Sequence, residues 1–376
     1  VYPALSILQT LKHNQEQAHA SGAPLLQDDV LWVGSQDGLE VNLVQRAGIP
    51  FEAIPAAGVH GVGLRALPAN LTRLLRGFFA ASRLLADYKP DVLLFTGGYV
   101  AIPMALAARS PLRRTPRPSI FLYVPDIEPG MALKALARFA DCIAITAPES
   151  RHFFSARANT VVTGYPVRPD LAGRQKEHAR RSLNLAEDLP VVLVFGGSLG
   201  ARSINRALFP VLAKLLEKAQ VLHLSGNLDW DETQAHARSL QHSHPQLAAR
   251  YHAFPYLHED MADALCAADL SVCRAGASTL GELPAVGLPA ILVPYPFAWR
   301  YQQVNAEYLH KHGAAEIVPN DDLPARLLPL VTELIENREK RLRMSTAMHS
   351  LAAPNAAQLI LDWMKRISPS QASLQG

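Results

Sequence analysis

The stretch Val191-Val-Leu-Val-Phe195-Gly-Gly-Ser-Leu-Gly200-Ala-Arg-Ser203 decides the fold of this chain. Val191–Phe195 is apolar throughout, as in a strand buried on both faces. Gly196–Ala201 then reads as a tight turn. Ser203–Leu216 follows as a helix, with Ile204, Leu208, Val211, Leu212 and Leu215 on one face. Strand, glycine turn and amphipathic helix in that order are the unit of an α/β fold with a mainly parallel sheet.

The same pattern spreads outward in both directions. Further strands are expected at Gln220–Leu224, Leu270–Val272 and Ala290–Val293, and earlier at Val30–Val33, Asp91–Phe95, Ser119–Leu122 and Cys142–Ile145. Helical segments Leu71–Ala86 and Val100–Ala108 lie between the earlier strands, and Pro3, Leu5, Leu8 and Leu11 begin a helical pattern at the start. Phe95-Thr-Gly-Gly-Tyr-Val100 repeats the strand-and-turn theme of Phe195–Gly200. Two Rossmann-like domains facing a cleft are the simplest architecture. The expected boundaries are residues 1–165 for the first and 166–350 for the second. Residues 351–376 form a final helix packing back on the first domain, with a mobile Ser/Gln-rich tail.

The bulk numbers agree. The 376 residues suit two domains, and 49% hydrophobic against 18% charged residues excludes a disordered chain. A net charge of +3 gives no whole-chain field for nucleic acid. Cys142, Cys266 and Cys273 are odd in number and widely spaced, which fits neither a disulfide framework nor a metal pattern and points to a reducing cytoplasm. No apolar run reaches the roughly 18 residues of a membrane-spanning helix. The chain opens on Val1 rather than Met, so further sequence is expected upstream.

Four constellations carry chemistry. In Gly196–Ala201, small residues let the backbone approach a pyrophosphate, and Ser198 adds a hydroxyl; an ordinary tight turn is the other reading. It is neither a Walker loop nor the dinucleotide Gly-x-Gly-x-x-Gly. Cys273-Arg-Ala-Gly-Ala-Ser-Thr-Leu-Gly-Glu282 places a carboxylate where it can accept from ribose hydroxyls, or where Thr279 and Glu282 form a capping box. Arg274 beside it faces phosphates or joins a salt bridge. In Trp299-Arg-Tyr-Gln-Gln-Val-Asn305, the amides of Gln302, Gln303 and Asn305 suit sugar hydroxyls or a solvated loop. In Leu64–Leu85, Leu71, Leu74, Leu75, Phe78 and Phe79 recur at helical spacing beside Arg65, Arg73, Arg76 and Arg83, with Arg113, Arg114 and Arg117 as a second cluster. That face docks on anionic lipid, or its apolar side packs on its own sheet.

Taken together these residues resemble the MurG family, glycosyltransferases that add N-acetylglucosamine to a lipid-linked muramoyl-pentapeptide precursor of peptidoglycan. The matching motifs are Gly97-Gly-Tyr-Val-Ala-Ile-Pro103, Pro129-Gly130, Gly164-Tyr-Pro-Val-Arg168, Gly196–Arg202, Asp260-Met261, Cys273–Glu282 and Gln302 with Asn305-Ala306. The resemblance implies a glycosyltransferase-B fold and an inverting transfer from UDP-N-acetylglucosamine to a polyprenyl-diphosphate acceptor, without metal or other cofactor. It implies that Arg168 and Ser198 contact the diphosphate, Glu282 the ribose, the backbone around Leu257 the uracil edge, and Gln302 the sugar; Gly197 and Arg274 complete the expected donor-binding set. Gly97, Gly98, Tyr99 and Asp126 fall on the acceptor side. It also implies a peripheral place at the cytoplasmic face of the membrane, with Arg73, Leu75, Arg76, Phe78 and Phe79 as the contact.

The chain departs from the family pattern twice. The family's Gly-Gly-Thr-Gly-Gly-His loop, whose His is a candidate general base, would directly precede Val1. A chain truly beginning at Val1 is expected to be crippled in catalysis. The family's His-Glu-Gln-Asn segment is replaced by Tyr123-Val-Pro-Asp126, which leaves Asp126 as the catalytic candidate there. This second departure keeps a related glycolipid synthase with another acceptor, such as diacylglycerol, in view. A UDP-N-acetylglucosamine epimerase and a non-catalytic sugar-nucleotide binder are the rivals of other classes.

Overall fold

The computed structural model describes residues 1–20, 29–35, 40–56, 67–113, 115–171, 173–197, 199–257, 260–296 and 301–369. They form two units: residues 1–125, 129–168 and 355–376, and residues 126–128 with 169–354.

In the first unit, β1 (Trp32–Gly34) pairs in parallel with β2 (Phe51–Ala53). A four-stranded parallel sheet then runs in chain order through β3 (Val92–Phe95), β4 (Ser119–Val124), β5 (Cys142–Ile145) and β6 (Thr160–Val162). Its core gathers Leu93, Phe95, Ile120, Leu122, Ile143 and Ile145 with Ala81 and Leu85 of the helix Leu67–Tyr88 and Met104 of the helix Ala101–Arg109. Gly77 lets the longer helix approach closely, since a Cβ there would lie 2.2 Å from the Pro55 carbonyl oxygen. In the first helix, Tyr2–Ala20, Ala4, Ile7 and Leu11 are buried at the spacing of one helical face. The last helix, Ala356–Ile367, packs on it, and Asn14 Nδ2 donates to Gln358 Oε1 at 2.9 Å.

The second unit is one six-stranded parallel sheet. Its strands are β7 (Val191–Phe195), β8 (Gln220–Leu224), β9 (Tyr251–Phe254), β10 (Leu270–Cys273), β11 (Ala290–Leu292) and β12 (Ala315–Ile317), in the spatial order β12-β11-β10-β7-β8-β9. Every residue of β7, β8, β10 and β11 is buried, which is why β7 and β11 read as unbroken apolar runs and why the polar Gln220, His223 and Ser271 of β8 and β10 are buried with their neighbours. The helix expected over Ser203–Leu216 is instead two helices, Arg202–Leu208 and Leu212–Leu216, joined by a 3₁₀ turn at Phe209–Val211. Pro210 sits in that turn, has no N–H to give the helix, and tightens it there.

Candidate functional site

The strand order of the second unit reverses between β7 and β10. From β7 the chain steps outward to β8 and β9; from β10 it steps the other way to β11 and β12. In an open parallel sheet, ligands bind beyond the carboxyl ends of the strands at such a switch point. Phe195 pairs with Cys273 across it, so the turn after β7 and the turn after β10 leave the sheet side by side. These are the two glycine-containing stretches singled out in the sequence.

The first turn is built from backbone packed on backbone. Gly200 N donates to the Gly197 carbonyl at 3.0 Å, and both glycines take left-handed φ values, +82° and +86°. A Cβ on Gly200 would lie 2.1 Å from the Ser225 carbonyl oxygen at the end of β8. Gly226 meets it from the other side, since a Cβ there would fall 2.3 Å from Gly200 Cα. Among the described residues nothing lies within 4 Å of the Cβ position of Gly197, so none of them crowds that part of the turn. Ser198 lies outside the described residues.

The second turn begins with Arg274, whose guanidinium is engaged by protein oxygens. Its Nη1 donates to the Val293 carbonyl at 3.0 Å and to Asn320 Oδ1 at 3.1 Å, and its Nη2 donates to Ser203 Oγ at 2.8 Å. Its guanidinium also lies over the Tyr295 ring, 5.2 Å from the centroid. Arg274 thereby ties the end of β11 to the first turn of the helix Arg202–Leu208, and burial lowers its pKa. The capping box does not form. The helix Thr279–Val286 takes Ser278 as its N-cap, Thr279 Oγ1 donates to the Gly276 carbonyl at 2.6 Å, and Glu282 N donates to the Ser278 carbonyl at 2.8 Å. Glu282 stands in the first turn of that helix, partly exposed. The neighbouring Cys273 is an inert thiol, pushed up to about 12 by burial.

Asn305 is fully buried on the helix Tyr301–Lys311. It accepts from Ile127 N at 3.0 Å and donates from Nδ2 to Asp126 Oδ1 at 2.8 Å and to the Ala275 carbonyl at 3.1 Å. This binds Asp126–Glu128 to the second glycine turn. Burial raises the Asp126 carboxyl above its ordinary value, and the Asn305 bond works against that rise. Gln302 Oε1 accepts from Tyr295 N at 2.9 Å, which orients its amide on the loop after β11. Leu257 is buried beyond the end of β9. Trp299 and Arg300 lie outside the described residues.

In the first unit, Gly97 and Gly98 form the turn after β3 with φ values of +114° and +90°, and Tyr99 beside them is 55% exposed. Tyr123 is wholly buried, its hydroxyl 3.0 Å from Thr146 Oγ1 and donating to the Gly164 carbonyl at 3.4 Å. The residue that opens the altered segment is therefore core. Arg168 places its guanidinium 6.0 Å from the Tyr2 ring centroid. The helix Leu67–Tyr88 divides its aromatic pair: Phe78 packs on the core of its own unit, while Phe79 is 68% and Leu75 53% exposed. Arg73 and Arg76 are exposed beside them. Arg113 turns inward, with its Nε donating to the Pro116 carbonyl at 3.0 Å, while Arg65 and Arg114 lie outside the described residues. No described helix is long and apolar enough to cross a membrane.

Comparison with known proteins follows the same division of the chain. The Glycosyltransferase family 28 N-terminal domain matches residues 1–145, and the Glycosyltransferase family 28 C-terminal domain matches residues 191–360. A protein of Desulforudis audaxviator (strain MP104C), named UDP-N-acetylglucosamine--N-acetylmuramyl-(pentapeptide) pyrophosphoryl-undecaprenol N-acetylglucosamine transferase, is 38% identical and aligns with 98% of this chain and 95% of its own. The chain belongs to the MurG family. The crystal structure of Acinetobacter baumannii MurG superposes with a TM-score of 0.71 at 30% identity, covering 97% of this chain and 95% of that one. The two parallel-sheet units thus have the glycosyltransferase-B fold of MurG. A UDP-GlcNAc 2-epimerase from Neisseria meningitidis bound to UDP-GlcNAc shares the fold alone, with a TM-score of 0.67 at 12% identity over 97% of this chain and 98% of its own.

Sequence reasoning missed what stands behind the MurG-family turn. Asn205, His223 and Asp229 are buried, polar and mutually bonded. The signal was present in β8, where a histidine interrupts the otherwise apolar Val221-Leu222-His223-Leu224.

Proposed function

We propose that the chain transfers N-acetylglucosamine, with inversion, from UDP-N-acetylglucosamine to an N-acetylmuramyl-(pentapeptide) pyrophosphoryl-undecaprenol acceptor, a step of peptidoglycan synthesis. Membership of the MurG family supports the reaction. The observation that carries the site is the pair of turns emerging side by side from β7 and β10 at the switch point. In this reading Gly197 and Ser198 receive the diphosphate, with Arg168 as a further contact. The turn's backbone donors stabilise the charge that develops on departing UDP. Glu282 accepts from the ribose hydroxyls, the backbone at Leu257 meets the uracil edge, and Gln302 meets the sugar. Arg274 holds the two turns in register rather than touching the phosphates. Gly97, Gly98 and Tyr99 serve the acceptor. Asp126 is our candidate for the general base: its raised pKa makes it the stronger proton acceptor, and Oδ2 has no partner among the described residues.

A transfer assay with labelled UDP-N-acetylglucosamine tests the reaction, run on the chain as it stands and with the family's glycine-rich loop joined ahead of Val1. Labelled muramoyl-pentapeptide lipid is the expected product. Label in diacylglycerol instead would overturn the acceptor, and an epimerised sugar with free UDP and no acceptor would overturn the transferase class. Glu282→Ala is expected to weaken UDP binding by about 1–3 kcal/mol, the cost of stranding two ribose hydroxyls, with the melting temperature little changed. Calorimetric titration with UDP measures this; intact affinity with a destabilised fold would assign Glu282 to the helix instead.

We further propose that the exposed Leu75 and Phe79, flanked by Arg73 and Arg76, touch the cytoplasmic face of the membrane. Replacing both apolar residues with Ser is expected to weaken binding to phosphatidylglycerol vesicles by about a hundredfold or more, since each buried side chain contributes ~1.5 kcal/mol or more. Co-sedimentation reads the effect, and unchanged vesicle binding would discard the contact.

A further inference from the structure

A buried polar chain runs behind the Gly196–Gly200 turn, and the donor-site residues leave it unexplained. Asn205, His223, Ser225 and Asp229 are each 3% exposed or less. Asn205 donates from Nδ2 to the Ser225 carbonyl and to Asp229 Oδ2, both at 2.9 Å. Carbonyl and carboxylate oxygens only accept, so this end of the side chain is its amide nitrogen and the other is Oδ1. Oδ1 lies 3.0 Å from His223 Nε2, which must therefore carry the ring proton. His223 Nδ1 is then the acceptor, and the Tyr251 hydroxyl donates to it at 2.8 Å. Burial drops the imidazole pKa to about 3, with Asp229 pulling the other way, so the ring is neutral and keeps a single tautomer. Asp229 is closed from outside by Arg202, whose Nε donates to Oδ1 at 2.8 Å.

The chain ends on the atom that shapes the turn. The Ser225 carbonyl held by Asn205 is the oxygen against which Gly200 rests, with room for no Cβ. We propose that His223 is a positioning residue for the diphosphate turn: its Nε2–H holds Asn205 in the one orientation that fixes the Ser225 carbonyl, and that carbonyl sets the place of Gly200. The proposal rests on the reading of Gly196–Gly200 as the diphosphate site. His223 touches no substrate, and its effect belongs to the phosphates alone.

The test is the affinity of the full chain for UDP and for uridine, by titration calorimetry or ligand-observed NMR. Wild type is expected to prefer UDP by at least about tenfold, as charge-assisted bonds to a diphosphate require. His223→Leu is expected to lose most of that preference while binding uridine as before. His223→Gln, whose amide can replace the Nε2–H donor, is expected to restore it. Asn205→Ala repeats the loss, and carries the test should His223→Leu fail to fold. A folded His223→Leu or Asn205→Ala variant with the wild-type UDP-to-uridine ratio would overturn the proposal. Equal loss of both ligands with a lowered melting temperature would overturn it too, since that marks general destabilisation. A wild type that binds UDP no tighter than uridine would remove the reading of the turn itself, and the proposal with it.

Discussion

Gly200→Ala is expected to abolish UDP binding and to destabilise the second unit by roughly 3–5 kcal/mol, from left-handed strain plus overpacking. The new Cβ would lie 2.1 Å from the Ser225 carbonyl oxygen and 3.1 Å from Gly226 Cα, both backbone atoms that no rotamer change can move aside. Relief requires the turn to lift away from the end of β8, and with it the backbone that we propose receives the diphosphate. Gly197→Ala is the matched control. Its φ of +86° carries similar strain, but no described residue lies within 4 Å of its Cβ, so about 1–2 kcal/mol is expected. Thermal melts and UDP titrations of the pair measure the difference. Equal effects would mean that strain alone, not the contact with Ser225, governs the turn.

Asn305→Ala is the second large effect. The substitution strands the Ile127 N–H, the Ala275 carbonyl and the Asp126 carboxylate around a buried amide. At about 1–3 kcal/mol for each buried group left unsatisfied, a loss above about 3 kcal/mol is expected. It carries a pH signature. The Asp126 carboxyl ionises at higher pH in the folded chain than in the unfolded one, because burial disfavours its charge. Between those two values the folded chain keeps a proton that the unfolded chain has released. Stability therefore falls as pH rises from the ordinary carboxylate value to the raised one, and levels off above it. Removing Asn305 takes away a donor that favours the charged form, so the falling range extends to higher pH. Melting temperatures across pH 3 to 8, roughly the span from the ordinary carboxylate value upward, check this, with Asp126→Ala expected to flatten the curve. A profile unaltered by Asn305→Ala would separate Asp126 from Asn305.

The buried framework was legible because its signals are local. β7 and β5 lie at Val191–Phe195 and Cys142–Ile145, as the apolar runs read, since strands covered on both faces have no polar alternation to hide them, and β8 lies at Gln220–Leu224 as expected despite its buried His223. β2 was not legible: three residues with Glu52 at the centre make no run, and only the pairing with β1 defines them. The apolar face of Ser203–Leu216 runs through Pro210, so periodicity alone does not mark the 3₁₀ turn there. At the site, the glycine turns were readable because backbone approach demands a residue type. Arg274 was not, because its partners Val293, Ser203 and Asn320 come from three other elements. Thr279 with Glu282 matched a capping box in spacing, yet Ser278 entered the helix one residue sooner and the hydroxyl turned back to Gly276.

The allocation of Asp126–Glu128 to the second unit has a consequence for anyone who would exchange parts among these enzymes. The stretch that completes the second unit is encoded in the middle of the first, between β4 and the helix Met131–Leu136. A gene cut at Arg168 yields a carboxyl-terminal product whose Asn305 has lost Ile127 and Asp126. A chimera joined at the same point pairs one parent's Asn305 with the other parent's graft. The inheritable module is therefore discontinuous: residues 169–354 travel intact only when 126–128 travel with them.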